Sequence, residues 1–208
     1  MDKARTKAAA PTLVFDLGGV LLDWNGIDPL MALSEGRLSR EQARQFWLHT
    51  PEVALLDTGR ASPREFASLM TERLQLGIST DRMLQALDEW LQGPFPGAQA
   101  ILQQLRQHYP LHVLSNNNAL HWHKIERDFN LLPLFDQCFA SHLIGLRKPD
   151  AAVYQHVQQA LQLSGQDILF FDDNIECVTA ARQAGWQAFH TIGLPAVRRI
   201  LQAEGLLD

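Results

Sequence analysis

The sequence predicts an α/β fold in which a Rossmann-like, doubly wound parallel sheet forms the core and carries an inserted helical cap domain. Two observations lead to this prediction. After residue 97, short apolar segments alternate with helical patterns, which is typical of a parallel sheet covered by helices on both faces. Residues 28–92 show helical patterns without a convincing strand, so we expect them to form a separate helical unit.

The predicted strands are short runs rich in β-branched and aromatic residues, as is typical of buried strands. The first strand covers 12–16 and ends in Asp16, after which Gly18 and Gly19 allow the backbone to turn sharply. Four more strands follow, at 111–115, about 137–140, 167–172 and 186–190.

The remaining periodic segments are predicted helices. They cover 39–48, 62–75 and 80–92 in the inserted block, and 97–108, 119–129, 150–162, 174–184 and 194–204 after it. Ser39 with Gln42, and Ser62 with Glu65, have the spacing of capping boxes, which marks the starts of two of these helices.

The chain of 208 residues is long enough for one full domain and a smaller one. We assign residues 11–27 and 93–208 to the core and residues 28–92 to the cap. Because the cap is inserted after the first strand, both of its junctions return to the same edge of the core. This is the geometry of a cap over a site.

Composition excludes several classes of partner. The formal net charge of −5 argues against broad binding to nucleic acid or to an anionic membrane. No apolar run approaches the length of a membrane span, and the first ten residues lack the apolar region of a signal peptide. Cys138 and Cys177 have no metal-ligand spacing, so we expect reduced thiols in a cytoplasmic protein. The sequence does not reveal the oligomeric state.

Polar side chains follow the carboxyl ends of the predicted strands. They are Asp16, Ser115 with Asn116, Lys148, and the pair Asp172 and Asp173. In open parallel sheets, ligands bind at this edge. Residues that are far apart in the sequence are therefore expected to converge on one crevice.

The adjacent acids Asp172 and Asp173 are the hardest of these to explain as structural residues. Two carboxylates at a buried strand end near Asp16 repel each other and are costly to desolvate. A hard divalent cation with oxygen ligands relieves this cost, and Mg²⁺ fits. Structural alternatives stay open for the single residues: Asp173 and Glu176 have capping-box spacing, and Lys148 suits a solvated position.

Four motifs together resemble those of the haloacid dehalogenase-like hydrolase superfamily, in the branch with a helical cap. They are Phe15–Val20, Leu114–Asn117, Leu146–Pro149 and Phe170–Asn174. Within the superfamily, the stretch 141–157 and the last motif most resemble bacterial sugar-phosphate phosphatases, in particular the α-D-glucose-1-phosphate phosphatase group.

The resemblance implies a role for each acidic residue. Asp16 would be the nucleophile that forms an aspartyl-phosphate. A carboxylate oxygen of Asp16, the backbone carbonyl of Gly18 and the carboxylate of Asp173 would bind Mg²⁺. Asp172 would act beside them, partly through water.

The resemblance also implies how the phosphate is held. Ser115 and the amide of Asn116 would bind a phosphate oxygen, and Lys148 would pair with both Asp16 and the phosphate. The implied function is Mg²⁺-dependent hydrolysis of a phosphomonoester, with a sugar phosphate such as glucose 1-phosphate favoured as substrate.

Gly18 departs from the pattern of the superfamily, in which a second Asp usually serves there as general acid and base. Its loss predicts a slower enzyme or one restricted to good leaving groups, because such help is typically worth ~10²–10⁴-fold. Asp23 and His142 are possible substitutes.

Two other functions stay open: a metal-independent 2-haloacid dehalogenase, and a catalytically weak relative that binds a phosphorylated ligand or a protein. The pair Asp172–Asp173, and the lack of an arginine closely following Asp16, favour the phosphatase.

Other candidates for contact with a substrate lie outside the strand ends. Trp24 follows the first strand closely, and Trp47 lies on an apolar helical face of the cap. Either packing or contact with a substrate explains these two residues. His121 and His123 are two residues apart on a predicted helix and point to different faces, so we expect surface histidines rather than a metal-binding pair.

Overall fold

A computed structural model describes residues 10–207. Of the first ten residues, which the sequence predicts not to form a signal peptide, only Ala10 lies within this range. Within this range the strands are β1 (Thr12–Phe15), β2 (Leu22–Trp24), β3 (Leu91–Pro94), β4 (Leu111–Ser115), β5 (Gln137–Ala140), β6 (Ile168–Asp172) and β7 (Gln187–His190). No helix among the described residues combines the length and the apolar composition that crossing a membrane requires.

The helices divide into two groups along the chain. Those of the inserted block are α1 (Ile27–Leu33), α2 (Arg40–His49), α3 (Pro51–Asp57), α4 (Pro63–Arg73) and α5 (Thr80–Glu89). Those that follow are α6 (Ala98–Leu105), α7 (Ala119–Lys124), α8 (Ser141–Ile144), α9 (Ala151–Leu161), α10 (Ile175–Gln183) and α11 (Gly193–Ala203).

The predicted parallel sheet is confirmed. Among the described residues it has five strands in the order β5-β4-β1-β6-β7, and every neighbouring pair is parallel. Strand β1 therefore lies in the centre, between β4 and β6. This order brings the carboxyl ends of β1, β4 and β6 side by side.

Both faces of the sheet are buried, because successive side chains of a strand point in opposite directions. Leu13 and Phe15 of β1 pack with residues of α6, α7 and α11. Val14, between them, packs on the opposite face with residues of α9 and α10. The doubly wound architecture thus follows from an apolar run that is buried on both sides.

Helices α1–α5 bury an apolar cluster of their own. Its largest members are Leu30, Phe46, Phe66, Met70, Met83, Leu87 and Trp90. The two predicted capping boxes are both formed, at the starts of α2 and α4, and each satisfies backbone N–H groups that the first helical turn leaves free.

An antiparallel ribbon of β2 and β3 joins this helical block to the sheet, and the sequence did not predict it. The predicted helix 80–92 was wrong at its end, since α5 stops at Glu89 and Leu91 begins β3. Gly93 has φ +139°, outside the helical region, and it pairs with Asp23 of β2. Helices α1 and α3, of seven residues each, are too short for a clear periodic signal.

Candidate active site

The polar residues at the strand ends lie together around one cavity of about 250 Å³. It is bounded below by the carboxyl edge of the sheet and above by residues of the helical block. The floor of the cavity includes every residue that the sequence singled out at this edge: Asp16, Gly18, Ser115, Asn116, Lys148, Asp172 and Asp173. The convergence expected from the strand ends is therefore present, while the chemical roles of these residues stay predictions.

Lys148 lies at the centre of the floor, with its ammonium group between two carboxylates. The Lys148 Nζ atom is 2.6 Å from Asp172 Oδ2 and 3.1 Å from Asp16 Oδ2. The Lys148 side chain is 1 % exposed, so the structural alternative of a solvated lysine is wrong. Its ammonium also lies 5.4 Å from the centre of the Phe170 ring.

The protonation of these groups reflects burial and mutual charge. Burial alone would lower the pKa of Lys148, but the charges of Asp16 and Asp172 hold that pKa well above its ordinary value. Burial raises the pKa of Asp16 to about 6, although Lys148 acts to lower it and Asp172 adds to the rise. Asp16 Oδ1 also accepts a hydrogen bond from the backbone N–H of Leu17, at 2.7 Å.

Asp172 has both carboxylate oxygens engaged with the protein. Its Oδ2 accepts from Lys148 Nζ, and its Oδ1 accepts from the backbone N–H of Asn174 at 2.7 Å. Asp172 is completely buried. Asp172 therefore lines the cavity with both oxygens already engaged, which fits a residue that orients Lys148.

Asp173 faces the sharp turn that follows β1. Gly19 has a φ of +72°, which residues with side chains rarely adopt, and a Cβ atom there would lie 2.7 Å from Asp173 Cγ, so a substitution would push this carboxylate aside. The capping alternative for Asp173 is wrong, because Asn174 caps α10 by accepting from the backbone N–H of Glu176. The Asp173 carboxylate is thus not engaged in capping that helix.

Asp16, Asp172 and Asp173 form a compact carboxylate cluster. One ligand oxygen from each lies within 4.8 Å of the others. Burial, followed by the charges of Asp16 and Asp172, raises the pKa of Asp173 to about 8. Three acids held this closely with one lysine leave the cluster short of positive charge.

The end of β4 contributes Ser115 and Asn116, whose side chains make different contacts. Ser115 is buried beside Asp16 and lowers its pKa through a hydrogen bond. The side chain of Asn116 is fully engaged with Lys148: its Nδ2 donates to the Lys148 carbonyl and its Oδ1 accepts from the Lys148 N–H, both at 2.8 Å. Asn116 therefore has only its backbone to offer a phosphate, as the resemblance implies.

The comparison with known families matches the haloacid dehalogenase-like hydrolases over residues 10–185. The match covers most of the chain and includes all seven residues of the cavity floor. The chain belongs to the haloacid dehalogenase-like hydrolase family.

Known relatives of this hydrolase include phosphatases. It is 33% identical to Phosphatase MT3486 from Mycobacterium tuberculosis (strain CDC 1551 / Oshkosh) over 187 residues, which cover 85% of each chain. It is 28% identical to the sesquiterpene phosphatase astK from Aspergillus oryzae (strain ATCC 42149 / RIB 40) over 183 residues, 85% of this chain and 87% of that one. These relatives support the prediction of a phosphatase of this family, but neither is a glucose-1-phosphate phosphatase by name.

The fold of this hydrolase is similar to that of a solved enzyme of the family. The BT-2542 enzyme from Bacteroides thetaiotaomicron, in a complex with magnesium and inorganic phosphate, superimposes with a TM-score of 0.72 at 20% identity. The similarity covers 88% of this chain and 94% of that one. At this identity the likeness concerns the fold alone.

Trp24 occupies the space next to the missing acid of this hydrolase. A Cβ atom at Gly18 would lie 3.6 Å from Trp24 Cβ and 3.9 Å from Trp24 Cγ, both ordinary contacts. The Trp24 ring meets the Trp47 ring edge-on at 5.5 Å, and both line the cavity. The predicted candidates Trp24 and Trp47 are thus in position to touch a substrate.

Much of the upper wall of the cavity is apolar. Besides the two tryptophans it includes Leu22, Ile27, Leu48, Val53, Leu56 and Leu91. These residues come from β2, β3 and helices α1–α3 or directly adjoin them. A leaving group bound above the phosphate would therefore contact mainly hydrocarbon and indole surfaces.

Sequence reasoning missed a pair of charged residues in this wall. Asp57 ends α3 and lies 3.4 Å from Arg147, between Asp57 Oδ2 and Arg147 Nη2. The two side chains are 13 % and 12 % exposed. Arg147 directly precedes Lys148 in a motif already recognised, but no local pattern identifies Asp57 as its partner.

The structure corrects the expectations for three residues, His121, Asp23 and His142. His121 is buried and lines the cavity, although it was expected at the surface. Its packing against the carbonyl of Leu87 in the cap explains the difference. Asp23 and His142 do not line the cavity. Asp23 lies in the ribbon, and the His142 ring packs against Trp122.

Proposed function

We propose that this hydrolase is a Mg²⁺-dependent phosphomonoesterase that acts through an aspartyl-phosphate on Asp16. One observation carries the proposal: Asp16 lies beside a buried lysine and two further carboxylates on the floor of a capped cavity. The similarity to phosphatases supports the same reaction class.

The carboxylate cluster fits a small divalent cation. Mg²⁺ prefers oxygen ligands and is commonly bound by one or two carboxylates together with waters and substrate phosphates. Asp16 and Asp173 would hold it with the backbone carbonyl of Gly18, and Asp172 would support the site from behind. When bound, the cation would neutralise charge on the transferring phosphoryl group and relieve the repulsion that, after burial, adds to the rise in the pKa of Asp173.

The protein residues themselves account for the displacement at phosphorus. A carboxylate oxygen of Asp16 attacks, and the ester oxygen leaves on the opposite side of phosphorus, toward the cap. The ammonium of Lys148 balances the negative charge of the phosphoryl oxygens, while Ser115 and the Asn116 backbone amide hold one of them. Catalysis of this kind depends mostly on position and charge.

Metal removal tests this proposal. Hydrolysis of p-nitrophenyl phosphate is expected in MgCl₂, to be lost in EDTA, and to return with excess MgCl₂. Asp173→Asn is expected to raise the Mg²⁺ concentration for half-maximal activity by at least about 10-fold, because even outer-shell partners contribute that much to metal affinity.

The same assay separates the other candidate functions. Halide release from 2-chloropropionate that EDTA does not affect would favour the dehalogenase. Binding of inorganic phosphate without turnover of any ester would favour the catalytically weak relative.

The substrate we propose first is a small sugar phosphate, for which glucose 1-phosphate is the test compound. Its anomeric oxygen is a better leaving group than a simple alcohol, which suits an enzyme with Gly18 in place of the usual acid. The apolar upper wall favours a second candidate, the monophosphate of an apolar alcohol. A comparison of kcat/KM for glucose 1-phosphate and for a prenyl monophosphate decides between them.

Gly18→Asp is expected to raise the turnover of alkyl phosphates, because it restores a carboxyl group where the family usually has one. A Cβ atom at position 18 would meet Trp24 only at ordinary contact distances, so the substitution causes no steric conflict at Cβ. Turnover of p-nitrophenyl phosphate, whose leaving group needs no proton, should change little. An unchanged or lower rate with alkyl phosphates would contradict this account of Gly18.

A further inference from the structure

The glycine at position 18 leaves the proposed reaction without an evident proton donor. Outside its floor, the cavity is lined by three carboxyl or imidazole side chains: Asp57, His121 and Glu176. They differ in position and in how far the protein already engages them.

His121 has both ring nitrogens engaged. Its Nε2 lies 2.6 Å from the carbonyl of Leu87, and its Nδ1 lies 3.1 Å from Asn118 Nδ2. Because a carbonyl only accepts, Nε2 carries the proton and Nδ1 accepts from the amide. Burial lowers the pKa of His121, so the neutral ring has no proton to give to a ligand.

Glu176 lies at the mouth of the cavity, on the first turn of α10. Its side chain is 38 % exposed, and its Oε1 is 3.7 Å from His49 Nε2 across the gap to the cap. A carboxylate in this position meets water as readily as it meets a leaving group.

Asp57 differs from both in its placement. It is the last residue of α3 and belongs to the cap, whereas Asp16 lies on the floor of the core. An in-line displacement sends the leaving oxygen away from Asp16 and toward the cap. Because Asp57 belongs to the cap, its carboxyl would lie on the side of phosphorus where the leaving oxygen needs a proton.

Within the proposed phosphatase reaction, we propose that Asp57 is the general acid and base that replaces the missing carboxyl at position 18. Arg147, at 3.4 Å, holds the carboxyl in the wall, and the two side chains are nearly buried. The charged groups that act on Asp57 among the described residues are Arg147, Lys148 and Asp16. On α8, which packs against α3, the His142 ring is directed to Trp122.

The pKa of Asp57 also suits a general acid and base. Burial raises the pKa of Asp57 to about 7, against the opposing charges of Arg147 and Lys148, while the charge of Asp16 adds to the rise. A carboxyl with a pKa near the working pH is suited both to donate and to accept a proton.

The two half-reactions balance with Asp57 in this role. In the first, Asp16 attacks phosphorus, the ester P–O bond breaks, and the leaving oxygen takes the proton of Asp57. In the second, the Asp57 carboxylate takes a proton from the attacking water, the P–O bond to Asp16 breaks, and inorganic phosphate is released. Asp57 is then protonated again and Asp16 is again a carboxylate.

Leaving-group dependence tests the assignment. Asp57→Asn is expected to lower kcat/KM for an alkyl phosphate by about 10²-fold, the lower end of general acid catalysis, and to leave p-nitrophenyl phosphate nearly unchanged. For alkyl phosphates the wild-type rate should fall as the pH rises above about 7, where Asp57 loses its proton. The variant should lack that fall.

Two further variants separate catalysis from structure. Glu52→Gln changes an acid of the same helix that pairs with Arg73 outside the cavity, and it should leave both rates unchanged. Gly18→Asp should restore more of the alkyl rate in the Asp57→Asn background than it adds to the wild type, because the two carboxyls serve one purpose.

The outcomes distinguish this assignment from the proposed function. Equal losses for aryl and alkyl esters in Asp57→Asn would indicate a structural role and overturn the assignment alone, as would no loss for either. A wild-type chain that hydrolyses neither ester in MgCl₂ would overturn the proposed function and, with it, the role of Asp57.

Discussion

Asp16→Asn is expected to abolish phosphatase activity, with kcat lowered by roughly 10⁴-fold or more, as for other enzymes that lose a nucleophile. An amide does not attack phosphorus at a useful rate, and the neighbouring carboxylate of Asp173 would be committed to the cation in the proposed mechanism. The Asp172 oxygens are held by Lys148 and by the Asn174 N–H, and Asp57 belongs to a helix of the cap.

The same substitution is expected to preserve the fold. Asn keeps a side-chain oxygen that can accept from the Leu17 N–H, and Lys148 keeps its 2.6 Å contact with Asp172. Steady-state hydrolysis of p-nitrophenyl phosphate in MgCl₂ and thermal unfolding of the same samples provide the measurement. Activity comparable to that of the wild type in a folded variant would rule out Asp16 as the nucleophile.

Lys148→Met is expected to lower the free energy of unfolding by about 3–5 kcal/mol, the range for removal of one partner from a buried ion pair. The change leaves Asp16 and Asp172 buried without the ammonium that lies between them. Activity should fall as well, since the phosphoryl oxygens lose a positive charge. Urea denaturation at neutral pH measures the stability difference.

Lys124→Met is the matched control for this experiment. Lys124 pairs with Asp88 at 3.1 Å, but the two side chains are 16 % and 38 % exposed. The loss there should be about 1 kcal/mol or less, as is usual for partly solvated pairs. A similar decrease in the free energy of unfolding for Lys148→Met and Lys124→Met would show that the burial of Lys148 does not explain its contribution to stability.

The sequence was sufficient for the floor of the site because each part of it is a local pattern. An apolar run followed by Asp16, or by Asp172 and Asp173, identifies a strand end without reference to the rest of the chain. The order of parallel strands then brings these ends to one edge, so long-range proximity follows from topology.

The wall of the site could not be predicted in the same way. Asp57 meets Arg147 because α3 packs over the loop that precedes Lys148, and this packing depends on the apolar cluster of the whole cap. His121 is buried for a similar reason, as Leu87 of the cap supplies the carbonyl that it contacts. Contacts of this kind carry no signal in either segment alone.

The two adjacent glycines after Asp16 impose opposite limits on how this sequence can vary. A Cβ atom at position 19 would crowd the Asp173 carboxylate, and the φ of +72° there is one that residues with side chains rarely adopt. Position 18 meets only the tryptophan beside it, at ordinary contact distance. Substitution at the first glycine is therefore sterically tolerated at Cβ, whereas substitution at the second would strain the backbone and displace an acid of the carboxylate cluster.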